Sequence, residues 1–121
     1  MNYLPYLLPV VALIVFVAVR RKSVVNEVEA RGLLRNGAQL IDVRSKSEFK
    51  ARHLPRAINI PLDRIEDKSA EQLPDKGKTL LLHCQSGVRS GVACKKLSGM
   101  GYTQVFNLGS YARAERIVES A

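Results

Sequence analysis

Two cysteines, Cys84 and Cys94, are all the thiol chemistry that 121 residues offer. Two cannot build the disulfide framework on which small secreted domains depend. If the chain from Val88 onward is helical, ten residues of separation give a rise of at most about 15 Å. A disulfide tolerates roughly 7 Å between Cα atoms. Free thiols and a reducing compartment are the consequence, and Cys94 reads as helix packing. There are no internal repeats and no low-complexity segments, which excludes a solenoid or a disordered tail. No acidic residue precedes Glu27, and no basic residue precedes the first apolar run. Nucleic acid is a poor partner: the net charge is +8, yet the cations are scattered and no aromatic–basic pattern accompanies them. From Ser23 to Ala121 there are sixteen basic and eleven acidic residues, or +5. That bias suits small anions or an acidic membrane face.

The residues that are present begin with Tyr3 to Val19, an uncharged and mostly apolar run of seventeen. At 1.5 Å per residue it spans about 25 Å, the short end for a bilayer core of ~30 Å. Arg20 and Lys22 can snorkel at one end, while Tyr3 and Tyr6 suit the opposite interface. A cleaved signal peptide needs basic residues ahead of the apolar run, and Met1-Asn2 supplies none. The expectation is an uncleaved transmembrane helix over 3–19. By the positive-inside rule the N-terminus faces out and the following domain, 24–121, stays cytoplasmic, as in a bacterial inner membrane.

The domain itself alternates strand and helix signals. Asn26 and Ser45 stand as caps with Glu29 and Glu48 three residues on. The helix that Asn26 opens should run to about Arg35, stopped by Asn36-Gly37, and the one that Ser45 opens to about Arg52. Strands are predicted at 39–43, 57–60, 79–83 and 104–108, with helices over 62–73, 88–98 and 110–119. Alternation of this kind implies an α/β fold, a parallel sheet with helices on both faces. Ligands in such sheets sit at the carboxyl ends of the strands, where Asp42 and Cys84 fall.

The stretch 79–90 organises the rest. Thr79-Leu80-Leu81-Leu82-His83 reads as a buried strand, Cys84 ends it, and Gln85-Ser86-Gly87-Val88-Arg89 turns into a helix. A loop of this form leaves backbone N–H groups converging on one spot at a helix N-terminus. A thiol there should ionise more readily than free cysteine. Arg89 would add a full charge and a fork of donors suited to an oxyanion.

Three pieces in order carry a resemblance: Ile41-Asp42-Val43-Arg44 with Glu48-Phe49; His53-Leu54-Pro55-Arg56-Ala57-Ile58-Asn59-Ile60-Pro61-Leu62; and Cys84-Gln85-Ser86-Gly87-Val88-Arg89-Ser90. From about Val24 to the C-terminus the chain resembles the rhodanese family of sulfurtransferases in its single-domain form. The resemblance implies that Cys84 takes a sulfane sulfur from a small anionic donor such as thiosulfate. The resulting persulfide passes it to cyanide, a thiol or a protein acceptor. It implies that Gln85, Ser86, Gly87, Val88 and Arg89 form the binding loop and that Asp42 and Arg44 support it. It implies no metal and no organic cofactor. His53 and His83 read as structural. The chain departs from the family pattern at Gln85, where a basic residue is common, and at Arg52 and Arg56, where glycine is common. Gly109-Ser110-Tyr111 also lacks the usual paired glycines.

Two other functions compete. Phosphatases related in fold place five residues between cysteine and arginine; here only four separate Cys84 from Arg89, a cradle too tight for a phosphate ester. A membrane-tethered persulfide carrier or docking module, without free-standing turnover, shares every one of these residues.

Overall fold

The computed structural model describes residues 3–21 and 24–121. Lys22, expected as part of the cationic flank, lies outside the described residues. Helix α1 (Leu4–Arg21) takes up the N-terminal apolar run and contains Pro9. Its described side chains up to Val15 are exposed, Leu8 among them at 79%. Among the described residues no helix is long and apolar enough to cross a membrane. The transmembrane helix expected over 3–19 is therefore not borne out in the fold. Helix α1 has 18 residues, a rise of about 27 Å, and its last two are Arg20 and Arg21.

The domain opens with α2 (Glu27–Arg35), capped by Asn26, whose Oδ1 accepts the N–H groups of Val28 at 2.8 Å and Glu29 at 3.4 Å. Strand β1 (Gln39–Asp42) leads into α3 (Lys46–Ala51). There the Ser45–Glu48 pair closes a reciprocal cap: the Ser45 hydroxyl accepts the Glu48 N–H, and Glu48 accepts the Ser45 N–H. A two-residue strand β2 (Ile58–Asn59) comes next, ended by Pro61, which has no backbone donor to continue a ladder. The segment predicted as one helix over 62–73 is a 3-10 turn (Leu62–Arg64) running into α4 (Ile65–Gln72). Then come β3 (Leu80–His83), α5 (Val88–Gly99), β4 (Val105–Gly109) and α6 (Tyr111–Glu119).

All four strands are parallel, in the order β2-β1-β3-β4. Every residue of β3 is buried, so a strand covered on both faces reads as an unbroken apolar run. Alternation still sorts its side chains. Leu80 and Leu82 join Ile41, Ile60, Ile65, Ala93 and Leu97 in the core under α4 and α5. Leu81 joins Leu40, Ala30, Leu108, Ala114 and Ile117 under α2 and α6. Each fully buried Leu or Ile contributes ~1.5–3 kcal/mol. The two cores pin β3 from both sides and so fix where the chain leaves the sheet at Cys84.

One irregularity matters for the site. Between β3 and β4 the register shifts, pairing Leu82 with Asn107 but His83 with Gly109. Leu108 is the extra residue, a bulge of the kind that re-aims neighbouring side chains.

Candidate active site

Cys84 leaves β3 with its N–H bonded to the Gly109 carbonyl at 3.2 Å. The next residues are sutured to the β4–α6 turn. Ser86 forms an antiparallel bridge with Ser110, and the Tyr111 N–H donates to the Gln85 carbonyl at 3.2 Å. Gly87 then turns the chain into α5 with φ +98°, a conformation that disfavours any side chain. A Cβ there would lie 3.3 Å from the Gly109 backbone, so glycine is required twice, by angle and by space.

The turn makes the expected cradle. The Gly87 N–H donates to Cys84 Sγ at 2.9 Å. The Ser90 hydroxyl lies 3.5 Å from the same sulfur. Burial pushes the thiol's pKa up, and hydrogen bonds from the Ser90 hydroxyl and from the Ser90, Gly87 and Ser86 amides outweigh it. The net effect is a thiol that ionises below its ordinary value. Cys84 exposes none of its surface, so water does not compete for these donors at rest. Cys94, on α5 one turn beyond Ser90, has no such donors among the described residues, and burial pushes its thiol up to about 12. The two cysteines are chemically opposite.

Ser90 and Asn107 are the residues that sequence reasoning missed. Asn107 Oδ1 accepts from the Ser90 hydroxyl at 2.7 Å and from the Gly109 N–H at 2.8 Å. Its Nδ2 donates to the Gly87 carbonyl at 3.3 Å. One buried amide thus ties together the loop, α5 and the β4 bulge. Ser90 has a single hydroxyl hydrogen and three acceptors within reach: Asn107 Oδ1, the Gly87 carbonyl at 3.1 Å and the sulfur. Ser90 closes the motif that Cys84 opens, and its place there is the signal that could have found it. Nothing local marks Asn107, which reaches the loop only through strand pairing.

Arg89 makes no hydrogen bond to the sulfur among the described residues and acts on it through charge. Its guanidinium grips Glu48 with both terminal nitrogens, at 2.6 and 3.0 Å. That fork, with the Ser45 amide and hydroxyl, holds the Glu48 carboxyl down at about 2. The charge expected to greet an anion is already paired, and the partner, Glu48, comes from α3. Gln85 and Val88 are exposed, Val88 at 72%.

Asp42 and Arg44 form a buried pair with each other. Asp42 Oδ1 accepts the Arg44 N–H at 2.9 Å, and Oδ2 accepts Arg44 Nη2 at 2.7 Å. Arg44 also donates to the Arg52 carbonyl at 2.6 Å. Their reach to the loop is indirect, through the Val43 N–H, which donates to the His83 carbonyl at 3.0 Å. His83 is fully buried, and desolvation lowers its pKa despite Asp42 nearby. Its Nε2 has no hydrogen-bond partner among the described residues and lies 3.7 Å from Asp42 Oδ2, so this is a neutral packing histidine. His53 stacks on Phe49 at 4.0 Å. Of the unusual arginines, Arg56 adopts φ +66°, the conformation for which glycine is the easier choice. Arg52 sits over the Tyr111 ring at 4.8 Å and pairs with Glu115 at 2.6 Å.

Known proteins resemble this chain in sequence and fold. The family model of the rhodanese-like domain matches residues 26–113. Thiosulfate sulfurtransferase PspE of Escherichia coli K12 is 44% identical over 69 residues, covering 57% of this chain and 66% of that protein. A sulfurtransferase of Allochromatium vinosum is 33% identical over 89 residues, 69% of this chain and 81% of its own. Among solved structures, a rhodanese with anions from E. coli superposes with a TM-score of 0.61 at 39% identity, over 64% of this chain and 91% of that one. The human single-domain sulfurtransferase TSTD1 does so with 0.67 at 30%, over 78% and 96%. The aligned part spans just under two thirds of PspE and as little as 16% of the tRNA sulfurtransferase of Thermoplasma acidophilum. With its parallel sheet, its cysteine at the end of β3 and its match over residues 26–113, the chain belongs to the rhodanese-like domain family.

Proposed function

We propose that the protein is a sulfurtransferase that moves a sulfane sulfur through a persulfide on Cys84. The observation that carries this reading is the sulfur itself, covered, cupped by the Gly87 amide at 2.9 Å and held below its ordinary pKa. The thiolate attacks the outer sulfur of thiosulfate or a related anionic donor. A bond forms between Cys84 Sγ and that sulfur, the donor's S–S bond breaks, and sulfite departs with the electron pair. An acceptor thiolate or cyanide then attacks the outer sulfur of the persulfide and leaves Cys84 as thiolate. The amides that hold the thiolate can hold the persulfide anion equally, since in both the charge sits within the same ring of donors. Neither step requires a metal or an organic cofactor.

Two features shape how this works. Cys84 exposes no surface at rest, so loading requires the residues that cover it to shift. Arg89 is held by Glu48, so its charge reaches an anion only after partial release. Asp42 and Arg44 act as supports of the β1 end. A second reading, a persulfide carrier serving a protein acceptor, uses the same chemistry with a different second substrate.

Thiosulfate treatment followed by mass spectrometry is the test. A gain of one sulfur atom, about 32 Da, on Cys84 is expected, absent in Cys84→Ser. No adduct with thiosulfate or any persulfide donor overturns the reading. Membrane tethering, with the N-terminus outside and the domain cytoplasmic, is a separate proposal. It rests on the apolar run at 3–19 and on the exposed apolar side chains of α1. Release of the full chain from membranes by high salt alone would refute it.

A further inference from the structure

We propose that the groove along the outer edge of β2 docks an acidic segment of the protein that accepts sulfur from Cys84. The groove encloses about 540 Å³, and its lining includes Phe49 and Asn59 under four cations, Lys46, Lys50, Arg64 and Lys68. These cations arrive from three elements: α3, the 3-10 turn and α4. They are therefore a feature of the assembled surface rather than the stripe of one helix.

Several cations outside the groove have carboxylate partners. Arg116 and Arg31 share Glu27, Arg52 meets Glu115, and Lys96 meets Glu66. Among the described residues no carboxylate lines this groove. Arg64 and Lys68 have only loose neighbours, Asp67 at 3.7 Å and Glu71 at 4.0 Å, whose side chains are 70% and 75% exposed. Such contacts neutralise little. Lys46 and Lys50 make no ion pair among the described residues. A cluster of four cations, two of them without a carboxylate partner among the described residues, around a concave, partly apolar floor is complementary to carboxylates carried on a chain with a few apolar side chains.

Its position gives it a purpose. The short helix α3 carries Lys46, Phe49 and Lys50 on the groove and Glu48 on the loop arginine. A bound segment thus lies one helix away from the loop that holds Cys84. RNA is the weaker occupant: the one aromatic ring among the groove's described lining residues, Phe49, already stacks on His53 at 4.0 Å and 11°, which leaves at most one face for a base. The partner's identity as a sulfur acceptor rests on the sulfurtransferase reading; the docking does not.

The test uses the full chain in detergent and a labelled peptide rich in Asp and Glu with one Leu and one Cys. Binding is followed by fluorescence anisotropy, and sulfur uptake by the peptide thiol is followed by mass spectrometry. Lys46→Glu with Lys50→Glu should weaken peptide binding about tenfold and raise the KM for the peptide thiol similarly. Thiosulfate-to-cyanide turnover should stay unchanged. Lys78→Glu, on a turn outside the groove, should leave all three alone. Equal affinity in the double variant, or an equal loss in Lys78→Glu, overturns the inference. So does an RNA oligomer or an anionic vesicle that loses more affinity than the peptide. If the peptide responds as expected while wild-type protein shows no turnover with thiosulfate, the docking stands and the sulfur-transfer reading fails.

Discussion

Removing the Ser90 hydroxyl tests the acidity of the Cys84 thiol at its largest single support. In Ser90→Ala the sulfur keeps the Gly87 amide at 2.9 Å and loses a hydroxyl at 3.5 Å. A hydrogen bond to a charged acceptor is worth ~1.5–3 kcal/mol at good geometry. At 3.5 Å, and shared with Asn107, about 1 kcal/mol is the reasonable share, or roughly fivefold in the thiol's ionisation constant. Asn107 Oδ1 still accepts the Gly109 N–H at 2.8 Å, so the bulge keeps its internal bond. The assay is alkylation of Cys84 by iodoacetamide across a pH series, with thiolate absorbance as a second measure and thermal melting as a control. The Ser90→Ala profile should move to higher pH, with about a fivefold lower rate on its rising limb. Ser90→Thr, which keeps the hydroxyl, should move it less. The linkage has a definite sign: a thiol whose folded pKa is depressed stabilises the fold above its unfolded pKa, and that contribution is lost as pH falls through the folded value. Wild type should therefore gain stability over Ser90→Ala at alkaline pH. An unchanged alkylation profile in a fully folded Ser90→Ala protein would refute the reasoning, because the burial of Cys84 would then be opposed by nothing but backbone.

Glu48→Gln breaks the ion pair to Arg89, and its effect should depend on acidity. The Glu48 carboxyl titrates at about 2 against an ordinary 4.5, so its stabilisation is complete above pH 4.5 and lost as pH falls towards 2. Denaturation midpoints of wild type and variant should differ above that window and converge below it; parallel curves throughout would refute the pairing. Arg56→Gly relieves a left-handed backbone at φ +66° and should stabilise by about 0.5–1 kcal/mol, read as a rise of a few degrees in Tm. A lower Tm would mean that the arginine side chain contributes more than its backbone costs. With its thiol pushed up to about 12, Cys94 should stay unmodified at neutral pH while Cys84 takes one alkyl group. Early double modification would contradict that contrast.

The features that the chain settles by itself are local. An apolar run, then Cys84, a glycine and a helix pattern are enough to specify strand, turn and helix, because each depends on neighbours a few residues away. Hence β3 and α5 begin within a residue of where the pattern puts them. The alternating signals and the caps at Asn26 and Ser45 are legible for the same reason. The parallel sheet is their consequence, since strands separated by helices return in the same direction. Less visible was the break at the 3-10 turn, where Pro61 and the packing of Ile65 against the sheet, not propensity, decide the geometry.

Tertiary structure alone decided who meets whom. Arg89 faces a carboxylate 41 residues away rather than open solvent, because α3 packs beside the loop. Asn107 reaches Gly87 and Ser90 only because a bulge in β4 re-aims it. The groove cations come as two local pairs, Lys46 with Lys50 and Arg64 with Lys68, and become one patch when α3, the 3-10 turn and α4 line the same edge. Short-range physics writes the elements, and the long-range contacts assign their charges and hydrogen bonds to partners that no local pattern names.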